Sequence, residues 1–150
     1  MSLTIAPESP LTADGCALIA GSQEALLEVF SPDEIFTFSP DELATSDVTF
    51  LVARDEGTAL GCVAMVDCGD YIEVKRLYIP PAGRGRGLAK ALMEALEAKA
   101  RSARKSFIRL ETGDALVPAV ALYRALGYGT RGPFGDYPEH PASLFMEKAL

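Results

Sequence analysis

The sequence predicts a mixed α/β fold in a single domain, and three observations carry that expectation. Short strand-like apolar runs alternate with helix-like stretches, in the order β-α-α-β-β-β-α-β-α-β. One strand-like run, Tyr71 to Ile79, leads into the turn Arg84-Gly85-Arg86-Gly87-Leu88-Ala89, which opens a long amphipathic helix. The chain has 150 residues, 49% hydrophobic and 23% charged, with no low-complexity segment or linker, so residues 1–150 supply one core rather than two.

Each element has a local reason. Residues 3–6 read as a short first strand. Residues 11–30 read as one broken helix or two short ones, because Gly15 and Gly21 weaken the stretch. Ser22 is the expected N-cap of the second piece, with Ala25, Leu26, Val29 and Phe30 inward. Ser31-Pro32-Asp33-Glu34 and Ser39-Pro40-Asp41-Glu42 are twin openers, each with Ser at the cap, Pro at the first helical position and acids in the first turn. Residues 48–54 and 58–67 read as a hairpin across Asp55-Glu56-Gly57, and Cys68-Gly69-Asp70 turns the chain into the strand 71–79. The helix over 88–103 sets Leu88, Leu92, Ala95, Leu96 and Ala103 inward. Lys90, Glu94, Glu97 and Arg101 lie outward, Glu97 and Arg101 spaced as an i,i+4 pair. Residues 106–112 form a strand, and 118–126 a short helix that starts with Pro and is closed by Gly127. Residues 129–142 read as a loop, and 143–148 as a closing strand.

The turn at Arg84–Ala89 is built to hold phosphate. Glycine lets backbone N–H groups point inward without a Cβ in the way. The helix N-terminus adds unpaired donors and the positive end of its dipole. Two nucleotide patterns are excluded. A Walker A loop needs Lys-Ser/Thr after its last Gly, where this chain has Leu88-Ala89; a dinucleotide fingerprint needs Gly where it has Lys90. An exposed Arg/Gly loop touching RNA is the other reading of the hexapeptide.

Arg84, Gly87 and Ala89 fit the spacing R/Q-x-x-G-x-G/A. This segment resembles the acyl-CoA pyrophosphate turn of the GNAT superfamily of N-acetyltransferases. About 35 residues later, Ala119-Val120-Ala121-Leu122-Tyr123-Arg124-Ala125-Leu126-Gly127-Tyr128 is similar to that superfamily's A-x-x-L-Y-x-x-x-G-F/Y signature. Residues 73–79 resemble its fourth strand and 107–113 its fifth. The segments 133–137 and 143–148 resemble a small single-domain bacterial branch. One position departs: many members carry Asn three residues before the Ala of the second signature, and here that residue is Leu116, with Asp114 two residues earlier.

The resemblance implies the GNAT fold, a mixed and mostly antiparallel sheet of six to seven strands flanked by helices. It implies acetyl-CoA as co-substrate, no metal, and direct transfer to a primary amine of a small molecule or peptide in a ternary complex. Arg84, Gly85, Arg86, Gly87, Leu88 and Ala89 would hold the pyrophosphate. Leu77, Tyr78 and Ile79 would lie along the thioester, with backbone N–H groups near Leu77 and Ile79 polarising it. Tyr123 would protonate the leaving thiolate. A CoA-binding module without turnover, or transfer of a longer acyl group, stays open beside this reading.

The amine must lose a proton. A Lys-like amine costs roughly 4 kcal/mol to deprotonate near neutral pH and an α-amine under about 1 kcal/mol, so the need for a base depends on the acceptor. Glu73 is the first candidate because it lies in the strand that carries the thioester; Glu111, in the adjacent strand, is the second. Either can act through water. Strict alternation places Glu73, Lys75 and Leu77 on one face and Val74, Arg76 and Tyr78 on the other. An inward Glu73–Lys75 pair would mark a substrate pocket. Glu111, Asp136 and Tyr137 are expected to contact the acceptor, and His140 to be exposed in its loop.

Composition narrows the partners. The net charge of −7 disfavours nucleic acid as the main ligand. Asp33, Glu34, Asp41, Glu42, Asp136 and Glu139 would make an acidic rim that suits a cationic or zwitterionic small amine, although the same acids can simply cap helices. No apolar run approaches a membrane span. Cys16, Cys62 and Cys68, an odd number without a C-x-x-C pair, read as reduced thiols in the cytoplasm. A homodimer is compatible with this reading.

Overall fold

The computed structural model describes residues 2–150. Seven strands form one sheet: β1 (Leu3–Pro7), β2 (Val48–Asp55), β3 (Thr58–Asp67), β4 (Tyr71–Tyr78), β5 (Phe107–Thr112), β6 (Gly129–Arg131) and β7 (Leu144–Ala149). Their order is β1-β2-β3-β4-β5-β7-β6, antiparallel throughout except for the parallel pair β4–β5. The helices are α1 (Ala13–Leu27), α2 (Pro40–Leu43), α3 (Leu88–Ser102) and α4 (Val117–Ala125), with 3-10 turns at Pro32–Glu34 and Pro81–Gly83.

Two apolar layers sandwich the sheet. Leu51 and Ala53 of β2 and Val63 and Met65 of β3 pack with Leu92, Met93 and Leu96 of α3, and with Tyr123 of α4. The alternate residues Phe50, Val52, Cys62 and Ala64 pack with Leu18 and Ile19 of α1 and Leu43 of α2. The central strands are therefore apolar on both faces, as a covered sheet requires. The β2–β3 hairpin closes through Glu56 and Gly57, both left-handed (φ +49° and +87°), the pair of conformations that a two-residue turn of matching twist demands.

Four expectations are corrected. Residues 13–27 are one unbroken helix, capped by Thr12, whose Oγ1 accepts from the Gly15 N–H at 3.0 Å. Gly15 does not break it, because the Pro10 backbone passes where a Cβ would stand, 2.6 Å from the Pro10 carbonyl oxygen. Ser22 is not a cap: it lies buried inside α1, and the inward face is Leu18 and Ile19, leaving Val29 exposed. Glu97, placed outward by its spacing, is buried at 4% exposure. It accepts from the Tyr128 hydroxyl (3.0 Å) and from Lys148 Nζ (2.7 Å), and keeps the expected contact with Arg101 at 3.7 Å. A short strand, β6, lies within the expected loop 129–142; three residues carry too little alternation to read, and pairing with β7 makes them a strand.

Candidate functional site

The site begins where β4 and β5 part. Their parallel register runs from Tyr71↔Phe107 to Val74↔Leu110 and stops. Beyond it β4 bulges. Its partners on β3 slip between Ala64↔Lys75 and Cys62↔Tyr78, and Arg76 takes the left-handed φ of +52°. Strict alternation fails here. Val74 packs on the α3 side, Lys75 and Arg76 both turn to the α1 side, and Leu77 rejoins the α3 side.

Arg76 holds the bulge by its side chain. Nε donates to the Phe38 carbonyl (3.1 Å), Nη1 to Ser22 Oγ (3.2 Å) and Nη2 to Gln23 Oε1 (3.0 Å). One guanidinium thus ties the bulge to α1 and to the segment before α2. The Arg76 carbonyl accepts from Cys62 Sγ at 3.2 Å, and burial pushes that thiol up to about 12, so it stays a donor. This clamp was missed in the sequence; its one signal was an Arg inside an otherwise apolar strand end.

The parting strands leave a cleft. Lys75 and Leu77 of β4, Glu111 of β5, Phe30 after α1, and Leu116 and Tyr123 around α4 line it. Tyr123 is 6% exposed, and burial raises its phenol above the ordinary value. Among the described residues nothing pairs with its hydroxyl, yet no buried side-chain oxygen is orphaned, so that oxygen opens onto the cleft. Leu116 adds an apolar wall to the cleft and no side-chain cap to α4.

Glu111 is the perturbed acid of the cleft. Burial pushes its carboxyl up to about 7, the nearby Glu73 charge pushes the same way, and the Ser143 hydroxyl and Lys75 oppose the rise. Ser143 Oγ donates to Glu111 Oε2 at 2.8 Å. Ser143 was not anticipated, since nothing in the sequence marks a Ser at a strand start as a carboxylate partner.

Glu73 and Lys75 lie on the α1 side of β4, each 7% exposed, and pair at 3.3 Å. The pair therefore lies inward and not on an exposed edge. Tyr137, from the loop before β7, bridges it: Lys75 Nζ donates to the Tyr137 hydroxyl, which donates to Glu73 Oε2. Burial and then the Glu73 charge raise the Tyr137 phenol. A second, outer pocket carries Glu73, Tyr137 and the exposed Asp136, with Phe38 and Tyr71; Lys75 and Phe36 border both hollows. Sequence spacing put Glu73 and Glu111 on adjacent strands; the fold gives Glu111 to the cleft and Glu73 to the outer pocket.

Three of the six rim acids have capping contacts, while Glu34 also lines the cleft and Glu42 and Asp136 the outer pocket. Glu34 Oε1 accepts from the Ser31 N–H (2.9 Å), Glu42 Oε1 from the Ser39 N–H (3.0 Å), and Asp33 Oδ1 from the Ser31 hydroxyl (2.6 Å). His140 is half-buried, with Nδ1 accepting from the Ala142 N–H at 3.0 Å.

The phosphate turn follows the same, C-terminal end of β4. Gly83 presses against β3 so closely that a Cβ would lie 2.3 Å from the Leu60 carbonyl oxygen. Gly85 and Gly87 are left-handed (φ +79° and +73°), and nothing in the protein stands within 4 Å of a Cβ on either. Gly87 is the N-cap of α3 and has no side chain to satisfy its first turn. Its carbonyl accepts from Ala91 N at 3.1 Å, which leaves the amides of Leu88, Ala89 and Lys90 without intrahelical partners. Open space over unpaired donors is the cradle a pyrophosphate needs. Arg84 Nε ties back to the Ile79 carbonyl (3.2 Å) and Arg86 pairs with Asp55 (2.9 Å), so both cations border the turn.

Comparison with known proteins points the same way. Residues 18–128 match the Acetyltransferase (GNAT) family. An IAA acetyltransferase of Azospirillum brasilense is 41% identical over 151 residues, covering 99% of each chain. A Klebsiella pneumoniae subsp. pneumoniae protein, provisionally described as an acyl-CoA N-acyltransferase, superposes with a TM-score of 0.81 at 39% identity, covering 99% of this chain and 97% of that one. The PaiA N-acetyltransferase of Thermoplasma acidophilum, solved in complex with coenzyme A, superposes at 0.79 over 100% of both chains; at 18% identity this is a likeness of fold. Parted central strands, a bulge, an open helix cradle and a full-length relative at 41% identity leave one conclusion, that this chain belongs to the GNAT family of acetyltransferases.

Proposed function

We propose that the chain moves the acetyl group of acetyl-CoA to a small primary amine by direct attack in a ternary complex. The observation that carries this reading is the end of the β4–β5 register at Val74↔Leu110, because the cleft it opens is shared by Tyr123 and Glu111. The amides at the start of α3 and the space over Gly85 and Gly87 suit the pyrophosphate, and the bulge segment from Arg76 to Ile79 suits the thioester. When bound, acetyl-CoA supplies an activated acyl group, so no covalent enzyme intermediate is required.

The residues then divide the proton work. Glu111, with its carboxyl near 7, takes the proton from the attacking amine directly or through one water. As the new C–N bond forms and the C–S bond breaks, Tyr123 gives its hydroxyl proton to the leaving sulfur. Glu73 remains the alternative base, but its bonds to Lys75 and Tyr137 suit an anchoring role in the acceptor pocket better. Free thiols at Cys16, Cys62 and Cys68 suit a cytoplasmic setting. Among the described residues no helix is long and apolar enough to cross a membrane.

The test is a thiol-release assay with acetyl-CoA against α-amino acids, monoamines, polyamines, aminosugars and Lys peptides. IAA belongs in the panel because the Azospirillum brasilense relative carries that name. Acetyl-CoA-dependent thiol release with at least one primary amine, and an N-acetylated product by mass spectrometry, is expected. Release that never exceeds the amine-free rate would remove the reading.

A further inference from the structure

Lys75 sits in an ammonium-binding cage built by its own chain. Its Nζ lies 3.3 Å from Glu73 Oε2 and 3.2 Å from the Phe36 carbonyl oxygen. It is 4.6 Å from the centroid of the Phe38 ring and 4.8 Å from that of Tyr137, whose hydroxyl also accepts from it. A carboxylate, a carbonyl oxygen and two ring faces around one point are the chemistry that captures an alkylammonium ion. The cage is not remote: Lys75 and Phe36 border both the cleft that holds Glu111 and Tyr123 and the outer pocket that opens to solvent. An acceptor whose amine reaches Glu111 therefore has this cage as its neighbour.

Stability alone does not account for the arrangement. A buried ion pair is generally no more stabilising than well-packed apolar residues of the same volume. Glu73 lies opposite Arg109 within the β4–β5 register and Lys75 one residue past its end, so the lysine faces the opening of the cleft. What the lysine does is neutralise Glu73 and fill the space a ligand cation would take.

We propose that Lys75 sets the acceptor class: by occupying the ammonium cage beside the cleft, it restricts the enzyme to acceptors with a single amine and a neutral or anionic remainder, and it excludes diamines and polyamines. The proposal rests on the acetyl-transfer reading above. A second ammonium extending from the cleft finds the carboxylate, the carbonyl oxygen and the rings of the cage already taken by Lys75, and a site filled by the protein's own cation discriminates between ligands. The other carboxylates of the outer pocket stand apart from the cage: Glu42 accepts from the Ser39 amide, and Asp136 is exposed at the rim.

The experiment compares n-butylamine with butanediamine as acceptors in the wild type, Lys75→Arg and Lys75→Ala, with CoA affinity by calorimetry as the check on folding. The wild type and Lys75→Arg are expected to favour the monoamine in kcat/KM by about tenfold or more, and Lys75→Ala to erase that preference. Calorimetry with n-butylammonium, without acetyl-CoA, supplies a readout independent of turnover; Lys75→Ala is expected to bind it about tenfold more tightly than the wild type. A wild type that uses both amines equally well overturns the proposal whatever the variants do. So does a Lys75→Ala protein that binds CoA normally while keeping the wild-type preference and n-butylammonium affinity. Absence of thiol release with every amine, alongside the gain in n-butylammonium binding, would instead remove the acetyl-transfer reading and leave the cage standing.

Discussion

Ser143 at the start of β7 donates its hydroxyl to Glu111 on the neighbouring strand at 2.8 Å, and this bond opposes the burial that drives the Glu111 carboxyl upward. With Glu111 as base, kcat/KM should rise with pH and level off above a midpoint near 7. Ser143→Ala removes a bond that favours the ionised form, so the rising limb should move to higher pH. The rate below the midpoint should fall on the order of fivefold, the worth of one such bond. A pH–rate profile identical in both proteins would separate Glu111 from the proton transfer.

Glu111 should also leave a mark on folding. Its folded value lies near 7 against an ordinary value of 4.5, so between those limits the folded chain holds a proton that the unfolded chain has released. The wild type therefore loses stability as pH climbs through that window, and below about 4.5 the loss is absent. Glu111→Gln should be more stable than the wild type at pH 8 by up to roughly 3 kcal/mol, with the difference vanishing near pH 4. Urea unfolding at the two pH values measures it, and equal differences at both would contradict the linkage.

Tyr123→Phe keeps the ring, and with it the 5.8 Å edge contact to Tyr128. Fold and CoA affinity should persist while kcat drops by about 10- to 1000-fold. Because burial raises the phenol, the wild-type residue stays protonated throughout the usual assay range, so the loss should not depend on pH. Steady-state kinetics beside calorimetric CoA binding separates the two effects.

Gly87 is the residue whose replacement should strike the cofactor first. Its φ of +73° disfavours any side chain, but no protein atom blocks a Cβ. Gly87→Ala should cost about 1 kcal/mol of stability. Gly87→Val should leave a folded protein whose CoA affinity is weaker by about tenfold or more, since the branched side chain occupies the space over the α3 amides. Undiminished affinity in a folded Gly87→Val protein would place the pyrophosphate elsewhere.

The sequence announced what depends on neighbours along the chain. Glycines at 85 and 87 ahead of an amphipathic helix, serines at 31 and 39 ahead of Pro and acids, and the two apolar runs of β2 and β3 about the Asp55-Glu56-Gly57 turn are local patterns, and the structure carries all of them. It concealed what depends on contact across the fold. Arg76 breaks the alternation of β4 because three partners from α1 and residue 38 hold it there, and none is adjacent in sequence. Glu97 sits inward because Tyr128 and Lys148 reach it from 31 and 51 residues away. The Ser143 partner of Glu111 is invisible for the same reason, since strand order decides it.

The position of β7 has a consequence for biosynthesis. The last strand in sequence is an inner strand in space, flanked by β5 and β6, which share no register with each other. A nascent chain can assemble β1 through β5 and fold α3 behind them, yet β5 then keeps an open edge until residues 144–149 emerge from the ribosome. The Glu111 carboxylate and the Tyr137 loop receive their final surroundings only at that moment. Strand β7 thus completes the cleft, and a chain stalled before residue 144 would leave the β5 edge unpaired, an edge of the kind that chaperones and proteases recognise.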